Sequence, residues 1–280
     1  VSTQKRIYRN ELAPRMSLRR NFDKGFAVRT TVSRGFSPPT IAELLPSTGV
    51  ISTDLEAEYG WNYELTLIQS LLKNKLRLEA TGFYFKLNKA LVQRRDISGA
   101  DFFINAEKKK KKGLELTADY FTRFPSKWLY YCNINAAWTL NHFRYGNFLR
   151  GSVDYSGKML PSVPARSLSV LADRHLKNGI YSNTTWFAAS AIMLNDANTA
   201  KAGAYQLLGW RIGWRKTINK KYKWNFFAGA DNLLDEKYSL GNDINAAAGR
   251  YFNAAPGRNY YAGISFQWIK PSAPAAPPLK

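Results

Sequence analysis

The stretch from Arg258 to Trp268 alternates with period two without a break. Tyr260, Ala262, Ile264, Phe266 and Trp268 occupy one face, and Tyr261, Gly263, Ser265 and Gln267 the other. That is the pattern of a β-strand with one apolar and one polar face. Aromatic residues at both ends of the apolar face match a strand that crosses a bilayer between two interfacial belts. A soluble sheet can contain one such strand, so the inference rests on repetition.

The pattern repeats along the chain. Strands are expected at 13–22, 26–36, 58–72, 75–88, 102–122, 127–142, 165–177, 180–193, 203–217, 222–233 and 258–268. One set of connections is tight: Asp23-Lys24-Gly25, Lys73-Asn74, Pro125-Ser126-Lys127, Lys177-Asn178-Gly179 and Asn219-Lys220-Lys221, all hairpin-turn chemistries. The other set is long: 37–57, 89–101, 143–164, 194–202 and 234–257. Short and long connections alternate, as in outer-membrane barrels with short periplasmic turns and long external loops. The segments run to about ten residues or more, against the five or six usual in soluble sandwiches. The predicted fold class is therefore all-β, an antiparallel transmembrane barrel wall of about eleven strands.

Composition agrees. Sixteen Tyr, sixteen Phe and eight Trp supply the belts, and no apolar run reaches the length of a membrane helix. Lone Cys132 excludes an internal disulfide and any cysteine-based metal cluster. The net charge of +21 raises nucleic acid as a partner, but the basic residues are scattered over turns, loops and strand edges. One run, Lys108 to Lys112, stands out, and no nucleic-acid-binding motif accompanies it. The basic balance is read as solvated turns plus a lumen that faces anions, with no nucleic-acid partner. Residues 269–280, rich in Pro and Ala, are expected to form a disordered tail outside the 1–268 barrel unit. The first residues lack the apolar core of a signal peptide; a leader has been removed or the chain starts inside a longer protein.

Four segments resemble those of TonB-dependent outer-membrane receptors, in the family's order. Ser33-Arg34-Gly35-Phe36-Ser37-Pro38-Pro39-Thr40-Ile41-Ala42-Glu43-Leu44 is similar to the family's "SxGFRxPxxxEL" loop, and Leu55-Glu56-Ala57-Glu58 through Asn62-Tyr63-Glu64 to the segment that follows it. Asn105-Ala106 to Gly113-Leu114-Glu115 resembles "NAGxxxxxGxE", with Glu107 and five lysines as departures. Asn232-Leu233-Leu234-Asp235-Glu236-Lys237-Tyr238 resembles "NLFDxxY", and Arg250 and then Arg258 lead into the terminal strand as in the family.

The resemblance implies a 22-stranded barrel with an N-terminal plug, of which this chain is the C-terminal half, the plug and TonB box being absent from it. It implies the outer membrane of a Gram-negative bacterium, with the lipid bilayer, the TonB complex (through the plug) and the barrel-assembly machinery as partners. Phe266 and Trp268 match the aromatic assembly signal of the last strand. It also implies TonB-energised uptake of a ferric siderophore or similar anionic iron chelate, with no cofactor and no enzyme activity. A passive porin or adhesin-like barrel and uptake of a non-iron ligand such as a glycan are the alternatives; a soluble nucleic-acid-binding β-protein is a third reading.

The residues themselves offer little to catalysis. His142 and His175 lie on different strands without metal-ligand spacing, and the pair Glu56 and Glu58 fits hydrogen bonding in a lumen. Guanidinium groups converging from several loops would bind carboxylate or catecholate oxygens bidentately. Arg94, Arg95, Arg144, Arg150 and Arg250 are the candidates, with Tyr145, Tyr155 and Tyr251 to stack or donate. Lys108 and Lys110 join them if alternate lysines of the run face the lumen; a solvated rim is the other reading.

Overall fold

The computed structural model describes residues 11–46, 49, 51–95, 97–126, 128–150 and 152–269. Eleven long strands form one sheet in chain order: β1 (Arg15–Asn21), β2 (Phe26–Ser37), β3 (Glu58–Leu71), β4 (Leu76–Arg95), β5 (Asp101–Arg123), β6 (Leu129–Tyr145), β7 (Arg166–Leu176), β8 (Ile180–Ala189), β9 (Tyr205–Ile218), β10 (Tyr222–Asp231) and β11 (Asn259–Trp268). Every pairing is antiparallel and joins strands adjacent in sequence. Among the described residues β1 and β11 each have one partner, so the sheet is an open wall.

The tight turns sit at one end. The β3–β4 turn places Leu72, Lys73 and Asn74 at φ of 52°, 56° and 65°, the left-handed region that turns of opposite twist require. At the other end the connections carry structure of their own. Thr40 caps the short helix Ile41–Leu44: its hydroxyl accepts from the Glu43 amide (3.3 Å), and the Glu43 carboxylate accepts from the Thr40 amide (2.6 Å). This capping box gives the Thr40–Leu44 part of the first motif its shape. Short hairpins lie in three later connections: Leu149–Arg150 with Val153–Asp154, Ile192–Met193 with Lys201–Ala202, and Ser239–Asn242 with Phe252–Ala254.

The register settles which face each residue takes. Leu76, Leu78, Ala80 and Tyr84 on β4, Leu114, Leu116 and Ala118 on β5, and Ile134, Trp138 and Leu140 on β6 share the outer face. Arg77 and Glu79, Glu115 and Asp119, and Asn133 and Asn135 share the inner one. On β11 Ile264 is 69% exposed and Trp268 67%. Such a surface is costly in water and costs nothing against lipid. The apolar outer stretches Leu76 to Tyr84 on β4 and Tyr260 to Trp268 on β11 match the length of a tilted crossing, about 9–11 residues.

The inner face is held by polar pairs and by aromatics laid over glycines. Glu79 pairs with Arg77 and, at 3.8 Å, with Arg29; the Asn135 amide donates to Asp119 (2.6 Å). At Gly113 a Cβ would lie 2.3 Å from the Leu140 carbonyl oxygen and 2.6 Å from the Phe83 ring. At Gly263 it would lie 2.3 Å from the Phe227 ring. The close approach of ring to backbone therefore requires glycine at both places.

Several expected boundaries change. The loop expected at 89–101 is for the most part strand, because β4 and β5 continue pairing from Leu76↔Tyr120 to Arg95↔Asp101. Beyond the bilayer, strands no longer need one face for lipid and one for lumen, so the alternation that marks a crossing stops while the ladder goes on. Lys89, at φ 51°, coincides with the change: Phe83 and Phe85 point to the lumen, and after Lys89 it is Val92 and Arg94 that are buried with the inward-facing Tyr145. Likewise β6 runs to Tyr145, and the expected strand 180–193 ends at Ala189, with Ile192–Met193 belonging to a loop hairpin. The strand expected at 222–233 stops at Asp231, where Asn232 turns left-handed (φ 50°). The proposed tail lies, apart from Ile269, outside the described residues.

Candidate functional site

Above the crossing segments the long connections fold onto the β4–β5 hairpin and the end of β6. Asn105 ties down the first connection. Its side-chain oxygen accepts from the Glu56 amide (2.8 Å), and its Nδ2 donates to the carbonyls of Glu56 (2.9 Å) and Lys89 (2.6 Å). Lys89 also pairs with the Glu56 carboxylate, and Glu58 accepts from the Leu91 amide (3.1 Å). Asn105, a motif residue, is thus a clasp between a loop and a strand pair.

At the centre lies Asp196, 2% exposed, from the connection after β8. One carboxylate oxygen pairs with Arg94 Nη1 and the other accepts from the Tyr145 hydroxyl. Its amide donates to the Asn245 side chain (3.0 Å), which brings in the connection before β11. The Arg94 side chain is fully buried and lies over the Phe148 ring, with 4.9 Å from guanidinium carbon to ring centroid. Its Nε and Nη2 have no hydrogen-bond partner among the described residues. Val92, Tyr145, Phe148 and Leu160 pack as one apolar cluster around this node, and Ile192, Leu194 and Ala202 as a second. Asn198 and Lys158 stitch the third and fourth connections together: Met159 N donates to Asn198 Oδ1 (2.8 Å), and Lys158 Nζ to the Ala197 carbonyl (2.9 Å).

Two groups here, both above the crossing segments, are strongly perturbed. Lys109 donates to the Leu91 carbonyl (3.2 Å); burial, then the charge of Lys111, lowers its pKa to about 8 against the pull of Glu58 and Asp196. Burial, then the neighbouring Asp196 charge, pushes the Tyr145 phenol well above its ordinary range, so it stays a donor to Asp196.

The residues singled out from sequence fall in several places. Arg94 and Tyr145 meet, but as buried partners of Asp196 and not at a surface. Arg95 ends β4 opposite Asp101, and Arg150 lies in the short hairpin of the third connection. Tyr155 packs on Phe148 (5.7 Å between centroids), and Tyr251 packs against the Leu194 cluster. Arg250 is exposed in the last connection. Arg144 donates to the Gly157 carbonyl (2.7 Å) and to His142 Nε2 (3.0 Å). Lys108 and Lys110 do not turn to the lumen: they share the outer face of Leu114, while Lys109 and Lys111 face inward, Lys111 beside the Phe85 and Phe143 rings. Lys111 and Glu115 join Arg29, Arg34, Glu64 and Glu79 along a luminal concavity of about 780 Å³.

Sequence reasoning missed Asp196, Asn198, Asn245, Lys158 and Lys109. A single aspartate in a loop carries no local sign of an arginine 102 residues away. The "NLLDEKY" segment is, like Asn105, a fastening. Asn232 closes a turn with Glu236 (2.9 Å in each direction), Leu233 N reaches the Leu208 carbonyl (2.8 Å), and Asp235 accepts from the Arg258 amide (2.9 Å). Tyr238 stacks on Tyr205 at 5.3 Å. Motif residues at 232, 233, 235, 238 and 258 thus fasten the last long connection to the wall.

Comparison with known proteins agrees with this architecture. Residues 2–233 match the TonB dependent receptor-like, beta-barrel family. Among solved structures the chain is similar to the ferric yersiniabactin uptake receptor FyuA of Yersinia pestis (22% identity, TM-score 0.65, covering 91% of this chain and 36% of that one). It is similar to the siderophore receptor PiuA of Acinetobacter baumannii (18%, TM-score 0.67, 91% and 36%) and to the copper transporter OprC (15%, TM-score 0.68, 92% and 40%). The chain thus spans 40% or less of the length of each of these. By its sequence match along 2–233, its eleven-stranded wall and its apolar outer belt, the chain belongs to the TonB-dependent receptor-like β-barrel family, whose members are transport receptors of the Gram-negative outer membrane and not enzymes.

Proposed function

We propose that this chain is part of a receptor for TonB-energised uptake of a ferric siderophore or similar anionic iron chelate. The observation that carries the reading is the fastening of several long connections through one buried node above a barrel wall of this family. Such a node holds ligand-facing loop surfaces in fixed positions, which lowers the ordering cost of binding. Arg250, Tyr155 and Tyr251, with Arg95 and Arg150, are the proposed contacts to the chelate; Arg94 and Tyr145 position the loops beneath them. The TonB complex acts through a plug domain, and Phe266 and Trp268 present the terminal strand to the barrel-assembly machinery. Of the three structures named above, one is a siderophore receptor and another a ferric yersiniabactin uptake receptor, which supports iron over other cargo.

The test is growth of a receptor-deletion strain under iron limitation, complemented with the full-length receptor and supplied with a panel of ferric chelates. Growth on at least one chelate, abolished by loss of TonB, is the expected result. Chelate-independent growth, or uptake that persists without TonB, would point to a passive barrel. Growth restored only on a glycan would move the cargo to that class.

A further inference from the structure

The five-lysine run departs from the family pattern, and the fold divides it. Lys109 and Lys111 face inward, where Lys109 is engaged with a carbonyl. Lys108, Lys110 and Lys112 fall on the outer face, just beyond the apolar stretch that starts at Leu114. Register then gathers further cations there. Lys110 stands directly opposite Lys86 on β4 and Arg144 on β6, and Lys112 stands opposite Tyr84 and His142. At ordinary strand spacings these groups occupy about 10 Å across the strands and about 14 Å along them.

Like charges directly opposite one another destabilise a sheet, and here three stand in one row. No ion pair among the described residues relieves them: the carboxylates of neighbouring strands, Glu64, Glu79, Glu115 and Asp119, take the inner face. The groove beside Lys112 and His142 is lined by Tyr63, Leu65, Tyr84, Leu114 and Leu140, so cations and lipid-facing apolar side chains adjoin. A cationic cluster that borders the lipid belt on its loop side meets the headgroup layer of the outer leaflet.

We infer that Lys86, Lys108, Lys110, Lys112 and Arg144 form a binding site for the phosphate groups of a phosphorylated outer-leaflet glycolipid, whose acyl chains lie along Tyr84, Leu114 and Leu140. Phosphate oxygens accept charge-assisted hydrogen bonds from several ammonium groups at once and cancel the repulsion in the row. The site is separate from the chelate reading and needs only the outer-membrane placement.

The test is native mass spectrometry of the full-length receptor in detergent, titrated with diphosphorylated lipid A, with the same lipid dephosphorylated, and with inorganic phosphate as competitor. A one-to-one adduct with the diphosphorylated lipid is expected, at least tenfold tighter than with the dephosphorylated form. Replacing Lys86, Lys110 and Lys112 together by Gln should weaken it roughly a hundredfold, from the usual contribution of each cation near an anionic surface. The triple Arg variant should retain binding, and Gln at the turn lysines Lys73, Lys220 and Lys221 should leave it unchanged. Equal affinity for the phosphorylated and dephosphorylated lipids in the unaltered receptor overturns the proposal, and that comparison needs no variant to fold. So does equal binding by the Gln variant. Displacement by inorganic phosphate at the lipid's own concentration would indicate a free-anion site, and displacement by a short single-stranded oligonucleotide a nucleic-acid surface; either result replaces the lipid assignment.

Discussion

Asp196→Ala is the perturbation that tests the loop architecture most directly. The carboxylate pairs with Arg94 and accepts from Tyr145, and the two charged side chains are 0% and 3% exposed. Removing it leaves a buried guanidinium without a counter-charge, a loss of about 3–5 kcal/mol. The Arg94 Nε and Nη2 donors already lack partners among the described residues, so nothing nearby takes over the charge. That energy is drawn from the loop cap and not from the wall, because the node ties two connections to the ends of β4 and β6 beyond the crossing, while the crossing strands are held by their own ladders. Amide exchange should therefore rise by about two to three and a half orders of magnitude in 190–204 and 243–251, the conversion of that energy at 1.4 kcal/mol per tenfold. Amides of β9 to β11 should keep their protection. A companion variant with Arg94→Met and Asp196→Leu removes both charges and should recover most of the lost protection, since a buried pair is often replaceable by apolar side chains. If Asp196→Ala leaves loop exchange unchanged, or the double variant is worse than the single one, the node does not organise the cap and the reasoning fails.

Other sites give smaller or more local effects. Gly113→Ala drives a methyl into the Leu140 carbonyl and the Phe83 ring and should cost about 1–3 kcal/mol, read as a lower unfolding temperature of the folded barrel in a heat-modifiability gel. Asn105→Ala removes three hydrogen bonds to Glu56 and Lys89 and should raise proteolysis within 38–57, at about 1 kcal/mol per bond, without lowering wall stability. Lys109, with a pKa of about 8 against 10.5 when unperturbed, carries a cost for its charge in the folded cap. Between those values the unfolded chain holds the proton that the folded cap has released, so cap stability should increase with pH, by at most about 3 kcal/mol. Loop exchange corrected for intrinsic rates, followed from pH 7.5 to 10.5, should show this slope in the unaltered protein and not in Lys109→Met; parallel profiles would contradict it.

Where the environment itself has period two, residue order was a reliable guide. From Leu76 to Tyr84 and from Tyr260 to Trp268, one face meets lipid and the other the lumen, so each side chain reports its own position. The expectation failed at 89–101 because no lipid acts on that stretch, and a strand with mixed faces reads as a loop. Motif residues were legible as motifs but not as mechanics. Only the fold revealed that Asn105, Asn232 and Asp235 fasten loops to the wall. The candidate ligand set was the least legible. Arg94 and Tyr145 were read as loop residues open to a ligand, whereas the carboxylate that buries them comes from a connection half a barrel wall away.

By itself, then, the sequence determined the staves, their tight turns and the belt of the outer membrane, since each follows from local alternation and turn chemistry. The tertiary structure decided which loops share a buried charge, and which lysines of one uninterrupted run take the inner face of the wall and which the outer. Both depend on strand register and loop closure. These bring together groups far apart in the chain, and no local pattern of residues encodes that proximity.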